Sequence, residues 1–369
     1  MKKAEQIWWE QTNAKNFIDC IIEKLHAEIS IIIKDSSSTP WYSSFVQNIE
    51  TKLKESVGLK SPLKIDSRNI NDIGEYFLQE FCKPELRNKY RPAKGYPTFL
   101  AENDNITLHD RFIWVNSLKK ENLNYWMDFI CEYVKKRGDK HKATFILETD
   151  IEKTNLRKNI FQATLEDFIN DYDYVVFAIL TASPLKEDHI LKTYLVELIS
   201  NIVGKDAELS SECIEQYGDF LINPLKTIEK IAQKSRSNGN QFQFSKTDDE
   251  IEQAVWTAQI RTFYPLLEEY RRDFIKKYYN EIKEHLPTTT VFNETIDTPE
   301  EVELGSLYYL KSDNYYHKSN KWLKIRKEDS YELKIFRNAR HDLSHLHKLE
   351  FQTIQELLGT SFVKNRSKI

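Results

Sequence analysis

Glycine is scarce in this chain of 369 residues, with nine in all, against the roughly 7% usual in proteins. That shortage excludes glycine-rich barrels, sandwiches and phosphate-cradling loops, and favours long helices, where glycine is costly. Cysteine is equally sparse: Cys20, Cys82, Cys131 and Cys213 lie far apart, so there is neither a zinc ribbon nor a redox Cys-x-x-Cys. They read as four reduced thiols. No apolar run is long enough to span a bilayer. The opening Met-Lys-Lys-Ala-Glu-Gln lacks the apolar stretch of a signal peptide. A soluble, cytoplasmic protein without membrane attachment is expected. Nor does one charge dominate: 53 basic residues face 57 acidic ones, for a net charge of -4. A wholly basic nucleic-acid binder is excluded, and any such site must be a local patch. What is present is 40% apolar and 12% aromatic residues, enough for a folded core in about two domains.

Residues 4–28 carry apolar positions at helical spacing, and Ile29-Ser30-Ile31-Ile32-Ile33 then reads as a buried strand. Further strands are expected at Leu63–Ile65, Arg111–Val115, Ala143–Leu147 and Tyr174–Leu180, the last being the longest. Helices are expected at Trp41–Val57, Asn71–Phe81, Leu123–Lys136, Thr164–Asn170 and His189–Val203, with 82–107 irregular. Continuously apolar strands alternating with helices predict an α/β domain: a mostly parallel five-stranded sheet with helices on both faces. With trailing helices it occupies 1–232. The polar stretch 233–249, with its Ser-Asn-Gly-Asn, reads as a linker. Residues 250–369 read as an all-α bundle. A helix from Glu250 to Glu284 bends at Pro265, an irregular insert lies near 287–327, and helices Ser330–Leu346 and Glu350–Leu358 close the chain.

The turn after the first strand, Lys34-Asp35-Ser36-Ser37-Ser38-Thr39-Pro40, has no glycine and no Gly-Lys-Ser/Thr. Backbone amides cannot face a phosphate there, so P-loop NTP hydrolysis is excluded. Glu148 stands where a magnesium-orienting acid would sit, but without the loop it reads as a helix cap or surface residue. The order of strands and helices resembles the ATPase core of STAND-type NTPases that has lost its phosphate loop. That resemblance implies a sensing or protein-contact module.

The densest chemistry lies in Arg337-Asn338-Ala339-Arg340-His341-Asp342-Leu343-Ser344-His345-Leu346-His347. A buried imidazole beside a guanidinium is disposed to stay neutral and to exchange protons near neutral pH, while the arginine stabilises a charged phosphorane. Arg340 and His345 project in different directions from a straight helix and converge only if the helix loosens near Ser344. Upstream, from Lys311 to Arg340, basic residues outnumber acids and tyrosines and Trp322 are interleaved. Lysines neutralise phosphates and aromatic faces stack unpaired bases, so Lys321, Trp322, Lys324, Arg326, Lys327 and Arg337 are candidate RNA contacts. The same stretch also reads as a solvated loop packed on the bundle. His341 and His345, four apart, could bind zinc with His347 or Asp342, or merely bond acids of a neighbouring helix. Trp256, Gln259, Pro265, Glu268 and Arg271 read as core and inter-helix pairing.

Arg340-His341-Asp342-Leu343-Ser344-His345, followed by the short apolar helix Glu350–Leu358, resembles the HEPN family motif. His341 stands where the family usually has asparagine or aspartate. The resemblance implies a helical bundle and metal-independent RNA cleavage with no cofactor, the 2′-hydroxyl attacking the adjacent phosphate. It implies that Arg340 binds the scissile phosphate, His345 transfers a proton and His341 orients one of them. It also implies two motifs meeting in a homodimer. The expected function is a defence endoribonuclease whose α/β part answers a partner protein or phage-derived trigger. The rival expectation is a non-catalytic adaptor that binds a partner effector protein.

Overall fold

The computed structural model describes residues 3–34, 37, 39–57, 62–150, 154–289, 295–311 and 323–366. Two compact units are present: residues 1–173 with 235–241, and residues 174–234 with 242–369.

In the first unit, β1 (Ser30–Lys34), β2 (Leu63–Asp66), β3 (Phe112–Leu118), β4 (Thr144–Thr149) and β5 (Ile160–Ala163) form one parallel sheet. The strand order is β2-β3-β4-β1-β5. The helices are α1 (Ala4–Glu10), α2 (Thr12–His26), α3 (Tyr42–Val57), α4 (Ile73–Phe81), α5 (Pro84–Arg87), α6 (Tyr96–Glu102) and α7 (Lys120–Arg137). Side chains alternate across each strand. Ile32, Val115, Phe145 and Leu147 join a core with Phe77 of α4, Leu100 of α6 and Trp126 of α7. Ile31 and Ile146 point the other way, where α2 packs against β1. The α/β fold expected from the apolar runs is therefore present.

Five expectations need correction. Tyr174–Leu180 is helix, not strand: α8 spans Asp171–Ala182. Its continuous apolar run carries no period, so strand and helix cannot be told apart from it alone. The deciding signal is at its start, where the Asn170 side chain accepts from the Tyr172 N–H and Asp171 and Asp173 occupy the first turn, next to the positive end of the helix. The fifth strand is instead the short Ile160–Ala163, and Thr164–Asn170 holds only the single turn Leu165–Asp167. The units divide at Asp173 rather than at 233–249, and Phe242 within that stretch is buried in the helical core. Glu148 is neither cap nor surface residue: it lies in β4, buried, accepting from the Trp114 indole N–H at 3.1 Å and from the Tyr42 hydroxyl. Residues 82–107 contain α5 and α6.

The second unit contains α8 from Tyr174 on, α9 (His189–Ile202), α10 (Ala207–Glu215), α11 (Tyr217–Ile222), α12 (Pro224–Ala232), α13 (Asp248–Lys277) and α14 (Tyr279–Lys283). A small hairpin of β6 (Thr288–Thr289) and β7 (Thr295–Ile296) follows. Then come α15 (Leu304–Lys311), α16 (Lys327–Ser344), α17 (Phe351–Leu358) and α18 (Ser361–Arg366). The hairpin and α15 fill the described part of the insert near 287–327. The helix expected over 250–284 is α13, which continues through Pro265, and α14 after a break at Tyr278. α13 begins with a capping box between Thr247 and Glu250 and packs against α9 and α16. Among the described residues no helix is long and apolar enough to cross a membrane.

A buried chain of hydrogen bonds in the first unit gives it a pH response. The Ala143 N–H donates to Tyr133 Oη at 3.1 Å, and Tyr133 Oη lies 2.7 Å from His109 Nδ1. His109 Nε2 lies 2.9 Å from the Asn103 carbonyl, which can only accept. Both ring nitrogens are thus satisfied by a neutral imidazole, and burial holds the His109 pKa below its ordinary value. A depressed pKa contributes stability above the unfolded value, about 6.5 for histidine, and loses it as the pH falls below that value. Chemical denaturation at pH 7.5 and 5.5 will show a stability drop on acidification that is smaller in His109→Gln.

Candidate active site on the last long helix

α16 is amphipathic, and its buried stripe of Leu333, Phe336, Ala339 and Leu343 lies in the helical core. Phe336 stacks on Tyr270 of α13 with ring centroids 3.7 Å apart and planes 10° from parallel. At its start, buried Asp329 accepts from Lys277 Nζ at 2.7 Å, from Arg326 Nε at 2.8 Å and from the Tyr278 hydroxyl. Burial alone would raise that carboxyl, but the bonds from Arg326, Lys277 and Tyr278 outweigh it and hold the pKa well below the usual carboxylate range. At its end, the Trp256 indole donates to the Leu343 carbonyl at 3.0 Å. Buried Gln259 grips the chain beyond: its amide donates to the Leu349 carbonyl at 2.9 Å and accepts from the Leu349 N–H at 2.6 Å. Trp256 and Gln259 are inter-helix pairing, as expected.

The helix closes in a Schellman motif: the His347 N–H reaches the Asp342 carbonyl at 2.9 Å and the Leu346 N–H the Leu343 carbonyl at 3.4 Å. The position that favours glycine in such a motif is Leu346, with φ of 61° and 73% exposure. Left-handed backbone costs a residue bearing a Cβ about 1 kcal/mol, and an exposed side chain returns no packing.

Five residues of helix place Arg340 and His345 about 140° apart, and the helix does not loosen to bring them together. Arg340 faces α13 and α15. Its Nη2 lies 3.0 Å from Glu303 Oε2, and its buried Nε lies 3.6 Å from Glu268 Oε1, beyond hydrogen-bond reach. Glu268 also takes Arg271 Nε at 2.7 Å. His341 and His345 are exposed and adjacent, with ring centroids 4.4 Å apart and planes at 53°. Among the described residues no hydrogen bond or ring contact joins Arg340 to His345. The expectation of a buried imidazole beside the guanidinium is therefore corrected: the histidines pair with each other in solvent, and the arginine pairs with acids. A groove of about 520 Å³ carries Glu268, Arg272, Ile275, Lys276 and Tyr279 on its walls.

The remaining candidates separate in the same way. Arg326 is bound by Asp329. Arg337 lies over the rings of Tyr308 and Tyr309, at 5.5 and 5.9 Å, and donates to Asn338 Oδ1 at 3.1 Å. Lys324 and Lys327 are exposed and make no ion pair among the described residues. Lys321 and Trp322 lie outside the described residues. Among the described residues no group of three or more His, Cys, Asp or Glu side chains is placed to hold a metal ion.

Protein-family models, curated proteins and solved structures were compared with this chain. None matches it. The assignment of roles therefore stands on geometry and chemistry. Sequence reasoning missed Glu303 and the pairing of Glu268 with Arg340. The available signal was the half-buried position of Arg340 on the helix, which requires an acid on a facing element.

The strained cap yields a local prediction. Leu346→Gly relieves the left-handed penalty without removing packing, so it will raise stability by about 1 kcal/mol in chemical denaturation. A loss of stability would show that Leu346 packs in solution.

Proposed function

We propose that the protein is a metal-independent endoribonuclease of the HEPN-like type, acting in the cytoplasm as a defence or stress response. The observation that carries this reading is the exposed pair of imidazoles of His341 and His345 at the end of α16. Cleavage of RNA without a metal needs two proton transfers: one from the 2′-hydroxyl as its oxygen attacks the adjacent phosphorus, and one to the departing 5′-oxygen. A neutral imidazole performs the first and an imidazolium the second. The products are a 2′,3′-cyclic phosphate and a free 5′-hydroxyl, with no net change in protons. We assign these roles to His345 and His341.

Arg340 is held by Glu268 and Glu303 on the far side of the helix, so one copy does not present the guanidinium and the imidazoles to the same phosphate. The active form is read as a homodimer, as in the family that the motif resembles, where the motifs of two copies meet. The α/β unit has no glycine in the turn after β1 and is read as a STAND-like sensing module that answers a partner protein or phage-derived trigger without hydrolysing nucleotide.

One observation favours the alternative, an adaptor that binds a partner effector. Tyr172, Val176, Ile179 and Leu180 are all exposed on α8, at 80%, 45%, 50% and 45%. An apolar helix face of this kind marks contact with another protein.

The two readings part on one assay. In excess EDTA, the wild-type protein will cut single-stranded RNA, and His345→Ala and His341→Ala will each slow cleavage about 100-fold or more. RNA that stays intact with the wild type and with an added trigger, or that is cut equally by the variants, contradicts the nuclease reading.

A further inference from the structure

The face of α16 that carries His341 and His345 also carries side chains not yet given a role. At about 100° per residue, Lys327, Tyr331, Lys334, Asn338, His341 and His345 fall within an arc of about 80°. All are exposed except the half-buried Asn338. Every acid of the helix falls outside that arc. Asp329 is turned into its buried cluster, Glu332 accepts from the N–H and hydroxyl of Ser361, and Glu328 and Asp342 flank the arc. Lys327 and Lys334 make no ion pair among the described residues, so their charge faces solvent. Tyr331 is 63% exposed and stacks on no other ring among the described residues.

On this face an unpacked aromatic stands between two unpaired lysines. That combination is the chemistry of a single-stranded nucleic acid: ammonium groups take phosphates and the ring takes a base. With acids only at its flanks, the arc itself presents lysines and no carboxylate to a polyanion. A protein partner fits less well, because apolar surface on the arc is limited to one ring.

We propose that this face of α16 is a track that lays a single strand of RNA across the two histidines, with Tyr331 as a stacking platform and Lys327 and Lys334 as phosphate contacts. The inference rests on the nuclease reading for its direction, since it makes these residues positioning residues for the chemistry of His341 and His345. From Lys327 to His345 the track runs about 27 Å, which a stacked strand at about 3.4 Å per nucleotide covers in about eight nucleotides. Exposed Leu346 lies at its end, immediately beyond His345.

The test uses the full chain and a fluorescent ten-nucleotide 2′-O-methyl oligouridylate, which binds but cannot be cut because its 2′-oxygen is blocked. Fluorescence anisotropy will show Tyr331→Ala weakening binding at least fivefold. The pair Lys327→Glu and Lys334→Glu will weaken it at least tenfold and flatten its salt dependence. Lys283→Glu, an exposed charge reversal outside α16, will leave binding within twofold, and circular dichroism will report equal folding for all variants. Track variants that bind like the wild type overturn the inference even where cleavage of ordinary RNA depends on His345. Equal loss in Lys283→Glu overturns it as well, because the attraction is then diffuse. Binding that depends on the track without any cleavage of ordinary RNA supports the track and contradicts the nuclease reading. A wild type that does not bind the probe overturns both.

Discussion

The rotation of α16 about its own axis decides what this protein presents to solvent, and three contacts hold that rotation. The Asp329 cluster pins the first turn to Lys277 and Tyr278 at the end of α13. The Tyr270–Phe336 stack locks the middle. The Trp256 and Gln259 bonds hold the last turn and the chain beyond it. All three come from α13 or the residue that ends it, and α15 and α17 pack against the helix as well. If α16 turned by half a revolution, Arg340 would face solvent and the histidines would face Glu268 and Glu303.

That rotation sorts the charges of α16 by their environment. Arg340, largely withdrawn from water, needs anionic partners and finds them in Glu268 and Glu303, because an unpaired charge in that position would be strongly destabilising. Arg326 and Arg337 are similarly committed, one to a carboxylate and the other to two tyrosine rings. Lys327 and Lys334, on the opposite arc, remain free for a ligand. The basic stretch that looks uniform in the sequence is thus two populations, one structural and one available. Their division follows the 3.6-residue repeat rather than the number of charges.

The α/β half was legible where the residues are unambiguous. Ile31, Ile32 and Ile33, and likewise Phe145, Ile146 and Leu147, are continuous runs that only a doubly covered parallel sheet buries. β5 was not legible, because Ile160-Phe161-Gln162-Ala163 is short and interrupted. The neighbouring run Tyr174–Leu180 is more strand-like in composition than the strand itself, and only its capping residues reveal the helix. In the helical half, the four-residue spacing of His341 and His345 sufficed to place them side by side. The partners of Arg340 were not legible, since Glu268 and Glu303 are distant in the chain and meet it only through packing. Leu346 carries no sequence signal of its left-handed backbone, because the motif it occupies is usually marked by glycine.

The central claim is that two imidazoles transfer protons while an internal 2′-oxygen attacks the phosphate. Mass spectrometry of the ends left on a defined single-stranded RNA tests it most directly. The expected result is a 2′,3′-cyclic phosphate on one fragment and a 5′-hydroxyl on the other. A 5′-phosphate with a 3′-hydroxyl would mean that water, not the 2′-oxygen, is the nucleophile, and would contradict the roles assigned to His341 and His345.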